Sequence, residues 1–489
     1  MTNKRINAFL LAVCLLLTAS GARVLFISLD KSYAVSDSYN SYALTIEKKY
    51  TQIVDRDQSP LTNYKNEYVA VIKPNEKCMS ELPQLFNKDE IKEITDELSN
   101  GYPVIREVDN YKKTKYIQIY TRTVQNPSDM LCRQLLDISC GGLETYTNKV
   151  VSETKINFAV DALGRVLTGD SSEVTTETTD APEQVKITIE REVQEMAEKA
   201  ASGIEKGAVV VLDAKTSRML ACVSKPNDYY NRAISPYCVG SIFKLIVASC
   251  ALENGIDPQY ECKGSITVGD TSYACQNDNV HGKEHICEAL ENSCNCYFVN
   301  LALKLGREKL YKTASDFGFG SSTRLYDGWD VSNGNLPSLS VLQSDGQLAL
   351  LGFGQGALTD TPYHFALAVA TIANGGVYKT PSLTGKEVVE EKRVMSEKNA
   401  ETLLSYMRSV VEKGTGVIAD YKGKSAGKTA TAQSGQYVNG KEILHTYFAG
   451  VYPYDDPEYV IVVMNEDGKS GSGDCGPVFR NLVEMLKTL

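Results

Sequence analysis

The sequence lacks any cluster of lysine and arginine residues. Its 489 residues carry 51 basic and 61 acidic side chains, which leaves a formal net charge of -10. Proteins that bind nucleic acid concentrate positive charge on one face or in one segment, so no nucleic-acid partner is expected. A folded protein is expected, because 43% hydrophobic and 23% charged residues are ordinary values for one.

Long apolar runs are also scarce, and only one is long enough to cross a bilayer. It extends from Ile6 to Ala22, a second apolar patch follows from Val24 to Leu29, and a basic pair precedes it. These features predict an export signal with a cytoplasmic N-terminus. Small residues from Ala19 to Ala22 would allow cleavage, but a span of this length favours an uncleaved anchor. We therefore expect residues 1–29 to form a single transmembrane helix, with the rest of the chain outside the membrane.

Cysteine is not scarce, since the chain has 13. The number is odd, so at least one thiol stays unpaired. Cys262 and Cys275 bracket a predicted hairpin around Gly269 and Asp270, and an exported protein could join them by a disulfide. Two reduced thiols that behave as small hydrophobic residues are the alternative, and the sequence leaves both open.

Histidines and cysteines crowd one later segment, which raises the question of a zinc site. The residues concerned are His281, His285, Cys287, Cys294 and Cys296. Zinc sites usually contain two sets of ligands, each with members about two to five residues apart. Here only one set has such spacing, and an oxidising compartment disfavours free thiolates. We therefore predict no metal site.

The exported part divides into two blocks of different pattern. Residues 30–170 mix strand-like stretches with one helix, whose start is marked by a capping box of Asn87 and Glu90. Residues 171–183 are rich in Thr, Glu, Asp and Ser, which predicts a linker. In residues 184–489, apolar strands stand at both ends with helices between them. This arrangement predicts an α+β fold, not alternating β-α units.

Three short motifs in the second block could carry chemistry. The first is a Ser-x-x-Lys at Ser241 and Lys244, which a helix places on one face, one turn apart. A partly buried lysine within reach of a serine can act as its general base. If Ser241 opens the helix, its backbone N–H can also point at an oxyanion. Alone, the spacing is common by chance.

The second motif is Ser-x-Asn at Ser293 and Asn295. On an extended or loop segment the two side chains project to the same side, while Cys294 points away. Such a hydroxyl can pass a proton between a lysine and a leaving amine, and the amide can hold a substrate amide.

The third motif lies on a predicted strand, where Lys428 and Ala430 share one face and Thr429 and Thr431 the other. Two hydroxyls in register can bind a substrate carboxylate, with Lys428 supplying charge nearby. The N–H of Thr431 could complete an oxyanion hole with that of Ser241. An edge strand with polar residues facing outward is the plainer interpretation.

In this order the three motifs resemble those of penicillin-binding proteins and serine β-lactamases. Further stretches are similar to class B penicillin-binding proteins, including His281-Gly282, the loop at Gly354 and Gly356, and Asp55-Arg56 upstream. The resemblance implies a penicillin-binding transpeptidase fold, with an antiparallel sheet flanked by helices and an all-helical subdomain. It implies residues 184–489 as the transpeptidase domain, preceded by a mixed pedestal over residues 30–170 and the membrane helix.

The function implied by the family is that of a D,D-transpeptidase of peptidoglycan. Ser241 would attack the D-Ala-D-Ala bond of a stem peptide, with Lys244 as base and Ser293 as proton relay. Substrate would be bound by Asn295, Lys428, Thr429 and Thr431. β-Lactams would acylate the same serine, and no cofactor is implied. The family further implies a single-pass protein of the bacterial cell membrane, with an extracytoplasmic catalytic domain and a membrane glycosyltransferase and division or elongation proteins as partners.

The sequence departs from the family at several positions. Ala430 stands where glycine is usual, Val239 where proline is usual, and Tyr50-Thr51 replaces the Arg-Gly before the Asp-Arg core. A methyl group at position 430 should point toward the helix of Ser241 and could alter reactivity with β-lactams.

Three rival functions remain to be weighed. A serine β-lactamase needs a base to hydrolyse the acyl-enzyme, yet no Glu-x-x-x-Asn occurs between Asn295 and Lys428. A β-lactam sensor is expected to carry His-Glu-x-x-His, and none of the four histidines precedes Glu. A catalytically inactive scaffold for division or elongation is disfavoured by the intact motifs.

Overall fold

The computed structural model describes residues 2–29, 41–126, 130–161, 166–167, 172–386 and 388–489. They form two compact units. The smaller unit comprises Met1–Thr51, Tyr64–Gln125 and Lys149–Glu183. The larger unit comprises Gln52–Asn63, Asn126–Asn148 and Gln184–Leu489. Two stretches that the sequence placed in the pedestal thus belong to the larger unit.

The N-terminal segment is a single helix, Thr2–Leu29. Within it, the 23 residues Lys4–Phe26 are long and apolar enough to cross a membrane, and none of this stretch is buried within the protein. About 20 residues at a rise of about 1.5 Å each span the hydrocarbon core. No second helix among the described residues meets the same criteria.

The smaller unit contains two antiparallel sheets of three strands each. In the first sheet the strand order is Ser41–Tyr50, Val150–Ala159 and Glu173–Thr178. In the second sheet it is Val104–Val108, Tyr64–Ile72 and Gln118–Gln125. The same unit also contains two helices, Glu76–Glu81 and Lys88–Leu98. The capping box predicted at the second helix is present, because Asn87 Oδ1 accepts hydrogen bonds from Asp89 N and Glu90 N while Asn87 N donates to Glu90 Oε2 at 2.8 Å.

The segment 171–183 is not simply a linker. Six of its residues, Glu173–Thr178, form the outer strand of the first sheet. Its threonines suit an exposed strand, and Glu177 pairs with Lys155 at 2.9 Å. The polar composition correctly predicted that the segment is exposed to solvent, but it did not predict the strand.

A five-stranded antiparallel sheet forms the centre of the larger unit. From one edge to the other, the strands are Met219–Lys225, Gly207–Asp213, Tyr459–Glu466, Lys441–Tyr452 and Ala426–Val438. Alternate residues of Gly207–Asp213 enter different apolar clusters, with Val209 and Val211 on one side and Val210 and Leu212 on the other. Since strand side chains alternate, both faces of the sheet are buried. The α+β fold predicted from the sequence is confirmed.

Helices cover both faces of this sheet. Arg191–Ala200 and Gly476–Leu486 share one apolar cluster with it. The remaining helices longer than one turn, on the side of the other cluster, are Lys244–Glu253, Ile286–Glu291, Asn295–Leu305, Arg307–Asp316, Asp345–Gly352, Pro362–Ala373 and Glu397–Lys413. Two-stranded pairs lie between them: Tyr237–Cys238 with Thr359–Asp360, Tyr260–Cys262 with Gly282–Glu284, Ser265–Val268 with Thr271–Ala274, Ser322–Tyr326 with Trp329–Ser332, and Val377–Pro381 with Val388–Arg393.

One of the segments ahead of residue 184 that belong to the larger unit begins at Gln52. Gln52–Val54 pairs in parallel with Gln184–Lys186. Directly after it, Asp55 is 4% exposed and its Oδ1 accepts hydrogen bonds from Asp57 N and Ser59 N at 2.9 and 2.7 Å. Arg56 forms an ion pair with Glu190 at 2.8 Å. The Asp-Arg pair thus fixes a turn beside the start of the helix Arg191–Ala200.

Candidate active site

Ser241 lies in a tight turn that glycines make possible. The turn is a 3-10 helix, Gly240–Phe243, and the α-helix begins only at Lys244. Gly240 has a φ of +63°, and a Cβ added there would lie 2.9 Å from the Cβ of Ala432. Its N–H donates to Gly354 O at 2.9 Å. Because i and i+3 side chains eclipse in a 3-10 helix, Ser241 and Lys244 still face the same side.

Lys244 is fully buried, and its hydrogen bonds bring two of the motifs together. Nζ donates to Asn295 Oδ1 at 2.7 Å, to Ser293 O at 2.7 Å and to Ser293 Oγ at 3.2 Å. The sequence suggested a bond to Ser241 instead, but within the described residues none is formed. Burial lowers the pKa of Lys244 to about 8, because a charged amine loses its hydration there.

Ser293 and Asn295 point to the same side, as the sequence predicted. Ser293 has a φ of +51°, and Asn295 is the first residue of the helix Asn295–Leu305. Between them, Cys294 is 0% exposed and its sulfur accepts a hydrogen bond from Tyr297 N at 3.4 Å. Asn295 Nδ2 also donates to Ala274 O at 2.9 Å. The motif is therefore held by the helix start on one side and by the preceding hairpin on the other.

Lys428 reaches the same hydroxyl from the edge strand. Its Nζ donates to Ser293 Oγ at 2.9 Å and to Thr429 O at 3.0 Å, and its side chain is 0% exposed. Burial, followed by the charge of Lys244, lowers the pKa of Lys428 well below its usual value. In a buried site, each of two ammonium groups around one oxygen disfavours the charged form of the other. The arrangement therefore favours a neutral amine that can accept a proton.

The faces of the edge strand Ala426–Val438 follow the predicted alternation. Thr429 Oγ1 lies 2.8 Å from Thr415 Oγ1, and Thr431 Oγ1 accepts a hydrogen bond from Gly471 N at 3.4 Å. Ala430 is 3% exposed and belongs to the apolar cluster on the sheet face of the helix Lys244–Glu253. As the outer strand of the sheet, this segment leaves alternate backbone N–H groups unpaired by a neighbouring strand.

A cleft of about 440 Å³ brings these residues together. Its lining includes Ser241, Ser293, Asn295, Thr429, Ala430 and Thr431. Lys244 and Lys428 lie beneath it, bonded to Ser293. A larger groove of about 560 Å³ around Lys379 and Glu401 contains none of the motif residues. The three motifs, remote from one another in sequence, thus form one site.

Several polar residues of the cleft were not singled out from the sequence. They are Gln276, Asn279, Asn292, Thr415, Gln433, Ser470 and Ser472. None of them belongs to a local motif, so only the tertiary fold brings them here. Glycines at positions 468, 471 and 473 were the one available sign of a tight loop near the site.

The cysteines are all thiols in the described structure. The sulfurs of Cys262 and Cys275 are 3.7 Å apart, and Cys275 lies 3.7 Å from Cys294 and 3.5 Å from Cys296. The residues considered for zinc do not assemble as one group, because His285 faces Asp257 at 3.4 Å and Cys287 faces Glu291 at 3.6 Å.

Residues 207–484, more than half of the chain, match the penicillin-binding protein transpeptidase domain. The chain is 31% identical over 394 residues to Stage V sporulation protein D of Bacillus subtilis (strain 168), covering 70% of this chain and 59% of that protein. It is 30% identical over 294 residues to Peptidoglycan D,D-transpeptidase FtsI of Escherichia coli (strain K12), covering 56% of this chain and 49% of that protein. It therefore spans about half to three fifths of the length of these relatives.

Solved structures share the fold at lower identity. The complex between penicillin-binding protein PBP2 and MreC from Helicobacter pylori matches with a TM-score of 0.67 at 20% identity, covering 92% of this chain and 99% of that one. The ceftriaxone acyl-enzyme complex of penicillin-binding protein A from M. tuberculosis matches with a TM-score of 0.56 at 24% identity, covering 62% and 79%. The chain belongs to the penicillin-binding protein transpeptidase family, with class B penicillin-binding proteins among its relatives.

Proposed function

We propose that this chain is a membrane-anchored peptidoglycan D,D-transpeptidase that forms an acyl-enzyme on Ser241. The observation that carries the proposal is the convergence of Lys244 and Lys428 on Ser293 Oγ, at 3.2 and 2.9 Å, beneath the cleft that Ser241 lines. A hydroxyl between two buried amines with lowered pKa is suited to moving protons at neutral pH.

In the first half-reaction, Ser241 Oγ attacks the carbonyl carbon between the two terminal D-alanines. Its proton passes to the neutral amine of Lys244 and, through Ser293, to the nitrogen of the departing D-alanine. The peptide C–N bond breaks and an ester bond to Ser241 forms. Backbone N–H groups of Ser241 and Thr431 stabilise the oxyanion, and each such donor is worth about 10²- to 10³-fold in rate.

In the second half-reaction, the amine of another stem peptide attacks the ester. Its proton returns through the same groups, Ser241 leaves as the hydroxyl, and a new amide joins the two peptides. Asn295 binds the peptide amide, and Thr429 and Thr431 bind the terminal carboxylate. The buried Lys428 has a second role, since its amine donates a hydrogen bond to Ser293 and so holds the relay hydroxyl in place.

The helix Thr2–Leu29 would hold the enzyme in the bacterial cell membrane with residues beyond it on the extracytoplasmic side, where peptidoglycan is assembled. A membrane glycosyltransferase and division or elongation proteins are the partners that fit this position. The H. pylori relative was solved in complex with MreC, which supports a partner of that kind. The smaller unit, which comprises most of the pedestal expected over residues 30–170, would be the part that such partners contact.

Labelled penicillin tests the proposal on the full chain in detergent. We expect a stable covalent adduct on the wild type, none on Ser241→Ala, and an unchanged adduct on Ser405→Ala, a matched change of an exposed serine whose hydroxyl bonds only to its own helix. Rapid release of hydrolysed penicillin would identify a β-lactamase. A wild type that forms no adduct and cross-links no stem peptides would identify a scaffold.

A further inference from the structure

One wall of the cleft is a short loop, residues 467–475, which joins the strand Tyr459–Glu466 to the helix Gly476–Leu486. We call it the wall loop. Part of it, Gly471–Cys475, is a π-helical turn, a conformation that is rare and often occurs at functional sites. The cleft is lined by three consecutive members of the loop, Ser470, Gly471 and Ser472. The proposed reaction uses the neighbouring Thr431 but gives no role to the wall loop.

The wall loop crosses the central sheet over two threonines that face each other on neighbouring strands. Thr431 pairs with Thr446 in the antiparallel sheet, and directly opposed side chains lie on the same face. Gly471 N donates to Thr431 Oγ1 at 3.4 Å. The Thr446 hydroxyl lies within donating distance of Asp474 Oδ2, at 3.3 Å, and of Asn465 O, at 3.4 Å. The loop therefore contacts both members of the threonine pair.

Asp474 fixes the shape of the wall loop. Its Oδ2 accepts hydrogen bonds from Lys469 N at 2.6 Å and from Ser470 N at 2.8 Å, and its own N–H donates to Ser470 O at 2.9 Å. Hydrogen bonds to a carboxylate are roughly twice as strong as those between neutral groups. Gly473 N also donates to Ser470 Oγ at 3.0 Å. The loop is therefore closed by one side chain near its C-terminal end.

Glycine allows the wall loop to lie directly on the sheet. A Cβ added to Gly471 would collide with Tyr447 O and would lie 2.5 Å from Ala430 O, and one added to Gly468 would collide with Thr446 Oγ1. Since non-bonded carbon atoms need about 3.5 Å, neither position accepts a side chain while the loop keeps its place. Close packing thus fixes how near Gly471 N comes to the edge strand.

The contact with Gly471 decides what the Thr431 hydroxyl can do. A hydroxyl has one proton to donate and two lone pairs that accept. The Gly471 N–H occupies one lone pair, and among the described residues no acceptor takes the proton of Thr431. Thr431 is only partly buried and lines the cleft. Its proton is therefore available to an acceptor that enters the cleft.

We infer that Asp474 is a positioning residue of the carboxylate subsite and acts on the substrate through Thr431. It holds the wall loop so that the Gly471 N–H orients the Thr431 hydroxyl, which then donates its proton to the substrate carboxylate. Asp474 is not part of the cleft lining, so it acts only through its neighbours. The inference rests on the proposed function, in which Thr431 binds the terminal carboxylate.

Penicillin G and its methyl ester test the inference, because they share the reactive ring and differ only in the carboxylate. With the full chain in detergent, Asp474→Ala should slow acylation by penicillin G about 10-fold and acylation by the ester less than about twofold, since hydrogen bonding to a charged group is lost only with the former. Asp474→Asn keeps an oxygen acceptor for the two backbone N–H groups and should restore most of the rate. Glu484→Ala, a change of an exposed carboxylate on the next helix, should alter neither rate.

A double-variant cycle shows whether Asp474 acts through Thr431. Thr431→Val removes the hydroxyl at nearly constant shape, and adding Asp474→Ala to it should cause no further loss of penicillin G acylation. Additive effects of the two changes, or an equal loss with the methyl ester, would overturn the inference. An unchanged rate with the ester also shows that each variant is folded.

Reversible binding separates the inference from the proposed function. Saturation-transfer NMR on the full chain with Ser241→Ala compares a peptide ending in D-Ala-D-Ala with the same peptide ending in an amide. The free carboxylate should bind more tightly, and Asp474→Ala should remove this preference. A wild type that penicillin never acylates would contradict the proposed function, while the NMR comparison still decides the inference. Equal binding of the two peptides, or a preference that survives Asp474→Ala, would overturn it.

Discussion

Lys244 is the residue on which the chemistry of the site depends most directly. It is fully buried, bonds to both Ser293 and Asn295, and has a pKa lowered to about 8 by burial. A buried amine of this kind loses its proton far more easily than an exposed lysine, whose pKa is about 10.4. The same side chain therefore both joins two motifs and supplies the base.

The acylation rate should increase with pH. Only the neutral amine can accept the proton of Ser241, and the neutral fraction of Lys244 grows as pH rises through its pKa of about 8. The rate of labelled penicillin attachment should rise across this range and then level off. Lys244→Ala should lower the rate by about 10²- to 10⁴-fold, whereas Lys304→Ala, a change of an exposed lysine, should leave rate and profile intact. A wild-type rate that falls as pH rises contradicts this role.

At the scale of secondary structure, the site depends on a turn pressed between a loop and a strand. Gly354 has a φ of +79°, and a Cβ added to it would lie 2.0 Å from Gly240 O. Gly354 and Gly240 are joined by a backbone hydrogen bond of 2.9 Å. The loop therefore fixes the turn that carries Ser241, and any side chain at position 354 must displace it.

Gly354→Ala should destabilise the protein and slow acylation together. The left-handed backbone costs a non-glycine residue about 1–2 kcal/mol, and the collision with Gly240 adds to that cost. Gly435→Ala is the matched control, since Gly435 has a φ of +70° but nothing within 4 Å of an added Cβ. It should show only the backbone cost in thermal unfolding, with normal acylation. Equal effects of the two changes would show that contact with the turn is unimportant.

Local periodicity was enough to predict much of the site. The alternation of a strand correctly separated Lys428 from Thr429, and the short spacing of Ser293 and Asn295 correctly placed both on one side. The partner of Lys244 was not predictable in this way, because Ser293 is 49 residues away. Likewise, Cys262 was considered only with Cys275, since nothing in the local sequence shows that a helix start brings Cys294 beside them.

At the scale of the whole molecule, the order of predicted strands and helices was enough to predict the fold class but not every domain boundary. The α+β arrangement followed from strands at the two ends of the second block. The segment 171–183 contributes a strand, and residues 52–63 and 126–148 belong to the larger unit. Both depend on contacts with residues that are distant in the sequence. Strand pairing such as that between Gln52–Val54 and Gln184–Lys186 cannot be recognised from the local composition.

The N-terminal helix should act as an anchor that is separable from catalysis. The full chain should remain in the membrane pellet after an alkaline carbonate wash, because about 20 apolar residues span the hydrocarbon core. A chain lacking residues 1–29 should be soluble and should still react with labelled penicillin at the normal rate. Intact mass spectrometry of the full chain should find the helix uncleaved, and a mature N-terminus near Ala22 would contradict the anchor.

The central claim is that Ser241 is the nucleophile of this site. Mass spectrometry of peptides from the penicillin-treated full chain tests it most directly. The account predicts a single penicilloyl adduct, on the peptide containing Ser241, with fragment ions that place the added mass on that serine. An adduct on Ser293, on another residue of the cleft, or on a peptide outside it would contradict the account.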